Sequence, residues 1–210
     1  MIDVSEETIK KNCPHCDPNS FALKYPLEKY ENFWIVCDVH PLIEGHILII
    51  SKKHLSCIGA YPENIFQEFL LIYKRFINFL KIQYGSVAVF EHGRLGQTVF
   101  HSHIHLFPFK GSSSTIVPEG KDKLKQILNL SELITIYEKD GGYLFFAINS
   151  NLFLVDKTLS APRFFRDRFA RVLGRVERCN WKEMRTDKAI MKKATKEIHN
   201  LQDKWRKFTK

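Results

Sequence analysis

Three histidines at alternate positions, His101, His103 and His105, are the residues of this chain best equipped for chemistry. Successive side chains of a strand point to opposite faces, so residues two apart share one face. That places three imidazoles on one side, with Ser102, Ile104 and Leu106 on the other. Near neutral pH an imidazole can act as nucleophile, proton carrier or metal ligand. The triplet alone leaves three readings open: a nucleophilic site, a metal site built from all three rings, and a solvated strand face. A second set is Cys13-Pro14-His15-Cys16. Cys-x-x-Cys is half of a tetrahedral metal site, and the redox alternative expects a thioredoxin-like βαβ context that is missing here. Arg163 and Arg166, three apart on one helix face, could reach the polyphosphate of a long substrate.

These residues need elements to hold them. The apolar runs within 32–38 and 46–51 read as strands separated by a Pro-Gly turn region. From Pro62 to Tyr84 apolar residues recur at three and four, predicting an amphipathic helix that Gly85 ends. Residues 86–91 read as a strand, and a loop, His92 to Gly96, leads into the histidine strand. Beyond the breaker Lys110-Gly111-Ser112, the pattern predicts a short helix over 121–130 and a hairpin from 143–148 to 152–155. It then predicts a helix from about Ala161 to Leu173, with Phe165, Phe169, Val172 and Leu173 packing inward, and a long basic helix over 187–208. The expected organisation is an α+β domain over 1–112 with polar loops where a ligand could sit, a linker and β-hairpin over 113–160, and a basic helical extension over 161–210.

Apolar residues make up 44% of the 210, with 17 phenylalanines, which is a globular composition and not a disordered one. No apolar run is long enough to span a bilayer, so no membrane partner is expected. The acidic start, Met1 to Glu7, lacks the basic and apolar regions of a signal peptide, so the expected compartment is the cytoplasm, or the nucleus in a eukaryote. Five cysteines are too few and too scattered for a disulfide scaffold. The net charge of +9 is uneven: residues 157–210 hold 17 Lys+Arg against 6 Asp+Glu, leaving 15 against 17 for residues 1–156. Such asymmetry points to an anionic ligand or to nucleic acid, and a solvated basic helix face is the plainer alternative.

The context of the triplet is more specific than the triplet. Gln97-Thr98-Val99-Phe100-His101-Ser102-His103-Ile104-His105-Leu106-Phe107 resembles the signature of the histidine triad (HIT) superfamily, His-φ-His-φ-His-φ-φ preceded by Gly-Gln-Ser/Thr-Val. Upstream, Gly45-His46-Ile47-Leu48-Ile49-Ile50-Ser51-Lys52-Lys53-His54 resembles that family's Gly-His-x-Leu-x-x-Pro-Lys-x-His strand, with Ser51 in place of proline. Asp38 matches the acidic residue that holds the ribose hydroxyls in family members. The resemblance covers roughly residues 10 to 110 and implies an α+β fold, an antiparallel sheet with a long helix.

It also implies roles. His103 would attack the α-phosphorus of a nucleotide and form a nucleotidyl-imidazole intermediate. His105 and His46 would bind phosphate oxygens or orient His103, while Gln97 and Thr98 would donate to phosphate or leaving group. Histidine at the third triad position is typical of the hydrolases of the family, where glutamine marks transferases and phosphorylases. Phe90 departs from the pattern, because asparagine often stands there; Glu91 or His92 would have to supply its polar contact. Relatives in a zinc-containing branch complete a Cys-x-x-Cys pair with two histidines, here His54 and His101. Cys13, Cys16, His54 and His101 would then hold a structural zinc, with no organic cofactor expected. The implied function is a hydrolase of a nucleoside phosphate derivative such as a dinucleoside polyphosphate. The alternatives are a nucleotidyltransferase and a nucleic-acid-binding or processing factor, including aprataxin-like deadenylation. The oligomeric state stays open: homodimers are common in the family, and the extension could block one here.

Overall fold

A computed structural model describes residues 9–210; the acidic start lies outside the described residues. The β-branched and aromatic runs become eight strands of one antiparallel sheet. These are β1 (Pro26–Lys29), β2 (Phe33–Cys37), β3 (Ile47–Ser51), β4 (Ala88–Glu91), β5 (His103–Phe107), β6 (Leu124–Ile127), β7 (Leu144–Ile148) and β8 (Asn151–Val155). Their order across the sheet is β1-β2-β3-β5-β4-β7-β8-β6. The histidine strand is therefore central, flanked by β3 and β4. The predicted hairpin forms around Asn149, in the left-handed region at φ 55°. It does not stand apart: β7 pairs with β4 from Ala88↔Ile148 to Glu91↔Phe145, so residues 113–160 continue the sheet of the first 112.

Helix α1 (Glu63–Tyr84) covers one face, burying Ile65, Phe69, Ile72, Phe76, Phe79 and Leu80 against Ile35, Ile49, Ile104 and Leu106. Gly85, at φ 83°, ends it in a left-handed cap. The C-terminal helix, α6 (Lys188–Phe208), lies on the same side. Asp187 caps it by accepting from the Ala189 and Ile190 amides. Its buried stripe of Ala194, Ile198, Leu201 and Trp205 joins that core, and Trp205 stacks on Phe76 with ring centroids 4.4 Å apart. The basic helix is thus docked along one stripe and solvated along the rest.

The opposite face carries the histidines and is covered by the extension. There α2 (Ser113–Ile116) and α4 (Phe164–Val172) pack Ile116, Phe164, Phe165, Phe169 and Ala170 on Phe90, Phe107, Leu144 and Phe146. Two short helices, α3 (Glu132–Asp140) and α5 (Trp181–Met184), complete the fold. No helix among the described residues is long and apolar enough to cross a membrane.

Three expectations fail. Residues 121–130 form a single helical turn and then β6, not a helix, because backbone pairing with β8 outweighs local preference. Val172 is 42% exposed at the end of α4 and does not pack inward. The histidine strand begins at His103, leaving His101 in the preceding bend, so the three imidazoles do not form one row. The short β1 and α3 carry too weak a pattern to be read in advance.

Candidate active site

His103 and His105 project from β5 toward the α4 side, while Ile104 and Leu106 go into the α1 core. His103 is only partly buried and lines an open cavity of about 180 Å³. Its Nδ1 lies 2.6 Å from the His101 carbonyl, which can only accept, so Nδ1 carries the proton and Nε2 keeps its lone pair. Burial lowers the ring's pKa, which keeps it neutral near pH 7. This is the protonation state a nitrogen nucleophile needs.

Behind it runs a chain of fixed tautomers. The Leu42 amide donates to His46 Nδ1 over 3.0 Å, so His46 is protonated on Nε2. That N–H donates over 2.9 Å to His105 Nδ1, leaving the His105 proton on Nε2. His105 therefore presents a donor, not a lone pair. Burial drives His46 down to about 4 and pushes His105 well below its ordinary value, so both rings are neutral. Asp38 lies beneath them, 5% exposed, with Oδ2 3.5 Å from His46 Nδ1 and 3.5 Å from the Arg166 guanidinium. Oδ1 accepts from the His40 amide over 2.8 Å. Burial would raise this carboxyl, but the Arg166 charge and the His40 amide outweigh it and hold it below the usual range.

The extension supplies the far wall. Arg163, Arg166, Trp181 and Arg185 line the same cavity as His103, Thr98, Phe90 and His92. Arg166 is 6% exposed and clamps the tail to the first half, donating to the His40 carbonyl over 2.6 Å and to the Arg178 carbonyl over 3.1 Å. Arg163 is held in the left-handed region, φ 62°, with its amide on the Gly96 carbonyl at 3.3 Å. Gly96 has to be glycine: its φ is 80° and a Cβ there would lie 2.3 Å from the Ala161 carbonyl. The glycine loop before the histidines and the start of α4 are therefore pressed backbone to backbone.

Cys13, Cys16, His54 and His101 form a second cluster, their ligand atoms all within 4.8 Å of one another. His101 Nδ1 is 3.4 Å from both sulfurs, and His54 Nδ1 is 3.4 Å from Cys16 Sγ. A tetrahedral zinc with Zn–S of about 2.3 Å and Zn–N of about 2.0 Å has S···N edges of about 3.5 Å, so the donor set and its spacing fit this ion. The tautomer fits too. His101 Nε2 donates to the Ser51 carbonyl over 2.6 Å, which turns the Nδ1 lone pair toward the sulfurs.

A model of the HIT domain matches residues 27–111. A HIT-like protein of Methanocaldococcus jannaschii is 30% identical over 89 residues, covering 41% of this chain and 69% of that protein. The chain belongs to the HIT family. Another relative, the adenylylsulfatase HINT3 of Arabidopsis thaliana, is 29% identical over 114 residues, 51% of this chain and only 57% of its own length. Among solved structures, a HIT family protein from Bacillus anthracis superposes with a TM-score of 0.41 at 25% identity, covering 49% of this chain and 76% of that one.

Within this HIT fold, His46, His103, His105, Thr98, Asp38, Arg163 and Arg166 come together at one site, and the four metal-type ligands at another. Gln97 does not reach the cavity: its amide nitrogen donates to the Ser56 carbonyl over 2.8 Å, so it braces the loop. Phe90, at the position where asparagine is usual, stacks on His105 at 4.2 Å and 20° and continues into Phe165 and Phe169. Glu91 does not replace the missing polar contact, because it points to the opposite face. There it accepts from the Ile58 amide, Ser102 and Tyr143, and burial pushes it up to about 7. That network also accounts for Ser102, whose hydroxyl meets Tyr61 and Glu91. His92 stays on the cavity side with the Phe165 amide 3.4 Å from Nε2. Arg185 is a cavity residue that the sequence did not single out, and Trp181, which follows the interleaved basic and aromatic run of 162–174, lines the cavity with it.

Proposed function

We propose that the chain is a HIT nucleotide hydrolase acting on a nucleoside phosphate derivative, such as a dinucleoside polyphosphate, through His103. Nε2 attacks the α-phosphorus; the P–N bond forms as the bond to the leaving group breaks, and the leaving group departs with the electron pair. As positive charge develops on the ring, the His103 Nδ1–H bond to the His101 carbonyl strengthens and stabilises it. The His105 Nε2–H, fixed by the relay from Leu42 through His46, donates to a phosphoryl oxygen. Water then attacks phosphorus and gives up its proton to bulk solvent, and Nε2 leaves with the P–N electron pair. Arg163 and Arg185 place positive charge around a polyanionic substrate.

Cys13, Cys16, His54 and His101 would hold a zinc ion whose chemistry is structural: it would tie the N-terminal loop to the bend before β5.

The observation that carries the reading is the His103 tautomer, with Nδ1 tied to a carbonyl and Nε2 facing the cavity. The test is turnover of labelled dinucleoside polyphosphates, nucleoside phosphoramidates, adenylylsulfate and 5′-adenylated DNA. The expected result is turnover of at least one by the wild type and loss of more than about a thousandfold in His103→Ala. An acid-labile nucleotidyl label should appear on the wild type alone. No turnover of any substrate, or a His103→Ala variant as active as the wild type, overturns the proposal.

A further inference from the structure

Between the two cysteines of the N-terminal loop, His15 is turned inward, onto the nucleophile. It is 6% exposed, and its ring meets His103 edge to face at 4.8 Å and His101 at 5.4 Å. It lines the same cavity as His103, His105 and Arg163. Its Nδ1 is fully buried, and neither ring nitrogen makes a hydrogen bond among the described residues.

Among the other imidazoles lining the cavity, His40 also lacks a ring hydrogen bond but has no fully buried unpaired nitrogen, and the rest are engaged. His46 is engaged by Leu42 and His105, His103 by the His101 carbonyl, and His92 by the Phe165 amide. Buried polar groups are normally paired, because leaving one unpaired forfeits its hydration without return. A phenylalanine ring could make the same edge-to-face contact without that penalty. The loop is nevertheless held so that this ring sits on the nucleophile: the Cys16 amide donates to the Cys13 carbonyl over 3.1 Å, and Cys13 Sγ lies 3.4 Å from His101 Nδ1.

We propose that His15 is a fourth active-site imidazole, supplied by the cysteine loop and not by the triad, which donates its Nε2–H, the nitrogen that is not fully buried, to a phosphoryl oxygen of the nucleotide bound at His103. This deepens the hydrolase reading and rests on it for the identity of the ligand. His15 acts as a neutral donor, so the step moves no proton. His105 approaches the phosphoryl group from the strand and His15 from the loop above it, so two donors bracket the phosphorus that His103 attacks.

The test compares His15→Phe, which keeps the ring contact and removes the N–H, with His15→Gln, which restores an amide donor. The probes are AMP and adenosine, with GMP and guanosine in parallel, titrated calorimetrically against full-length protein; bound metal per chain and melting temperature are recorded alongside. In His15→Phe, monophosphate affinity should fall by about fivefold to tenfold with nucleoside affinity unchanged. Turnover should fall by about tenfold to a hundredfold, the scale of one lost donor at an oxyanion. His15→Gln should recover part of both losses, and metal content and melting temperature should match the wild type. Wild-type phosphate affinity in His15→Phe overturns the proposal, as does an equal loss for nucleoside and monophosphate, or a loss of metal. If the wild type turns over no substrate, the hydrolase reading fails by itself, and the monophosphate-to-nucleoside comparison still decides the role of His15.

Discussion

Two clusters of ligand-type groups lie on either side of His103, and their compositions would allow either to bind a metal. Cys13, Cys16, His54 and His101 form one; Asp38, His46 and His105 form the other; in each the donor atoms lie within 4.8 Å of one another. What separates them is where the protons and hydrogen bonds go. In the first, His101 spends its N–H on the Ser51 carbonyl, so its lone pair converges with two sulfurs. In the second, the Leu42 amide occupies the His46 lone pair, His46 occupies that of His105, and the Arg166 cation already faces the carboxylate. The first cluster therefore presents converging lone pairs, which suit a cation, and the second presents an N–H, which suits an anion. Proximity of ligand-type residues is therefore weak information until the tautomers are assigned.

The largest way to break this contrast is to remove the sulfurs. Cys13→Ser/Cys16→Ser should take bound metal from one per chain to none by elemental analysis and lower the melting temperature by more than about 10 °C. Asp38→Asn should leave the metal in place. Metal retained by the double variant, or lost from Asp38→Asn, would reverse the assignment of the two clusters.

Next in size is Arg166→Ala. It leaves the Asp38 carboxylate buried without its cation, which should cost about 3–5 kcal/mol in denaturant unfolding. Metal content should stay unchanged. A change below about 1 kcal/mol would mean that the second cluster does not depend on the extension.

The smallest effect is in pH. His46, at about 4, and His92, at about 3, are held low by burial, while the unfolded rings titrate near the ordinary 6.5. Stability contributed by these rings is full above 6.5 and is lost as pH falls toward the folded values, by about 2 kcal/mol per ring at pH 5. Glu91, raised to about 7 by burial, works the other way and gains stability between 7 and 4.5. Two rings against one carboxyl give a net loss on acidification, and Glu91→Gln should steepen it. Unfolding free energies flat from pH 7 to 5 would show that the relay rings are not neutral in the folded protein.

Much of this was legible because it is written locally. The alternation of His103, Ile104, His105 and Leu106 gives the two faces of β5, the spacing of three and four gives α1, and Asp187 marks the start of α6. The pairing of Cys13 and Cys16 with His54 and His101 could be read only through the family resemblance. What stayed hidden depends on distant partners. That His101 leaves the strand face depends on a carbonyl fifty residues away at Ser51. That residues 124–127 become a strand depends on β8. That Arg166 serves Asp38 as a clamp depends on α4 folding across the histidine face. Gln97 was misplaced for a related reason, because its residue type suits a phosphate as well as the Ser56 carbonyl it found.

The Arg166 clamp also fixes the order in which the candidate site is completed as the chain is made. Every histidine of the candidate site and all four metal-type ligands lie within the first 105 residues, and the sheet that carries them is complete by residue 155. The cation that neutralises Asp38, and the aromatic and basic wall of the cavity, come only with residues 163–185. A nascent or proteolytically shortened chain ending before that point would display the full set of histidines over an unroofed, uncompensated carboxylate. The candidate site is thus incomplete until residues 163–185 have folded back over the first half of the chain.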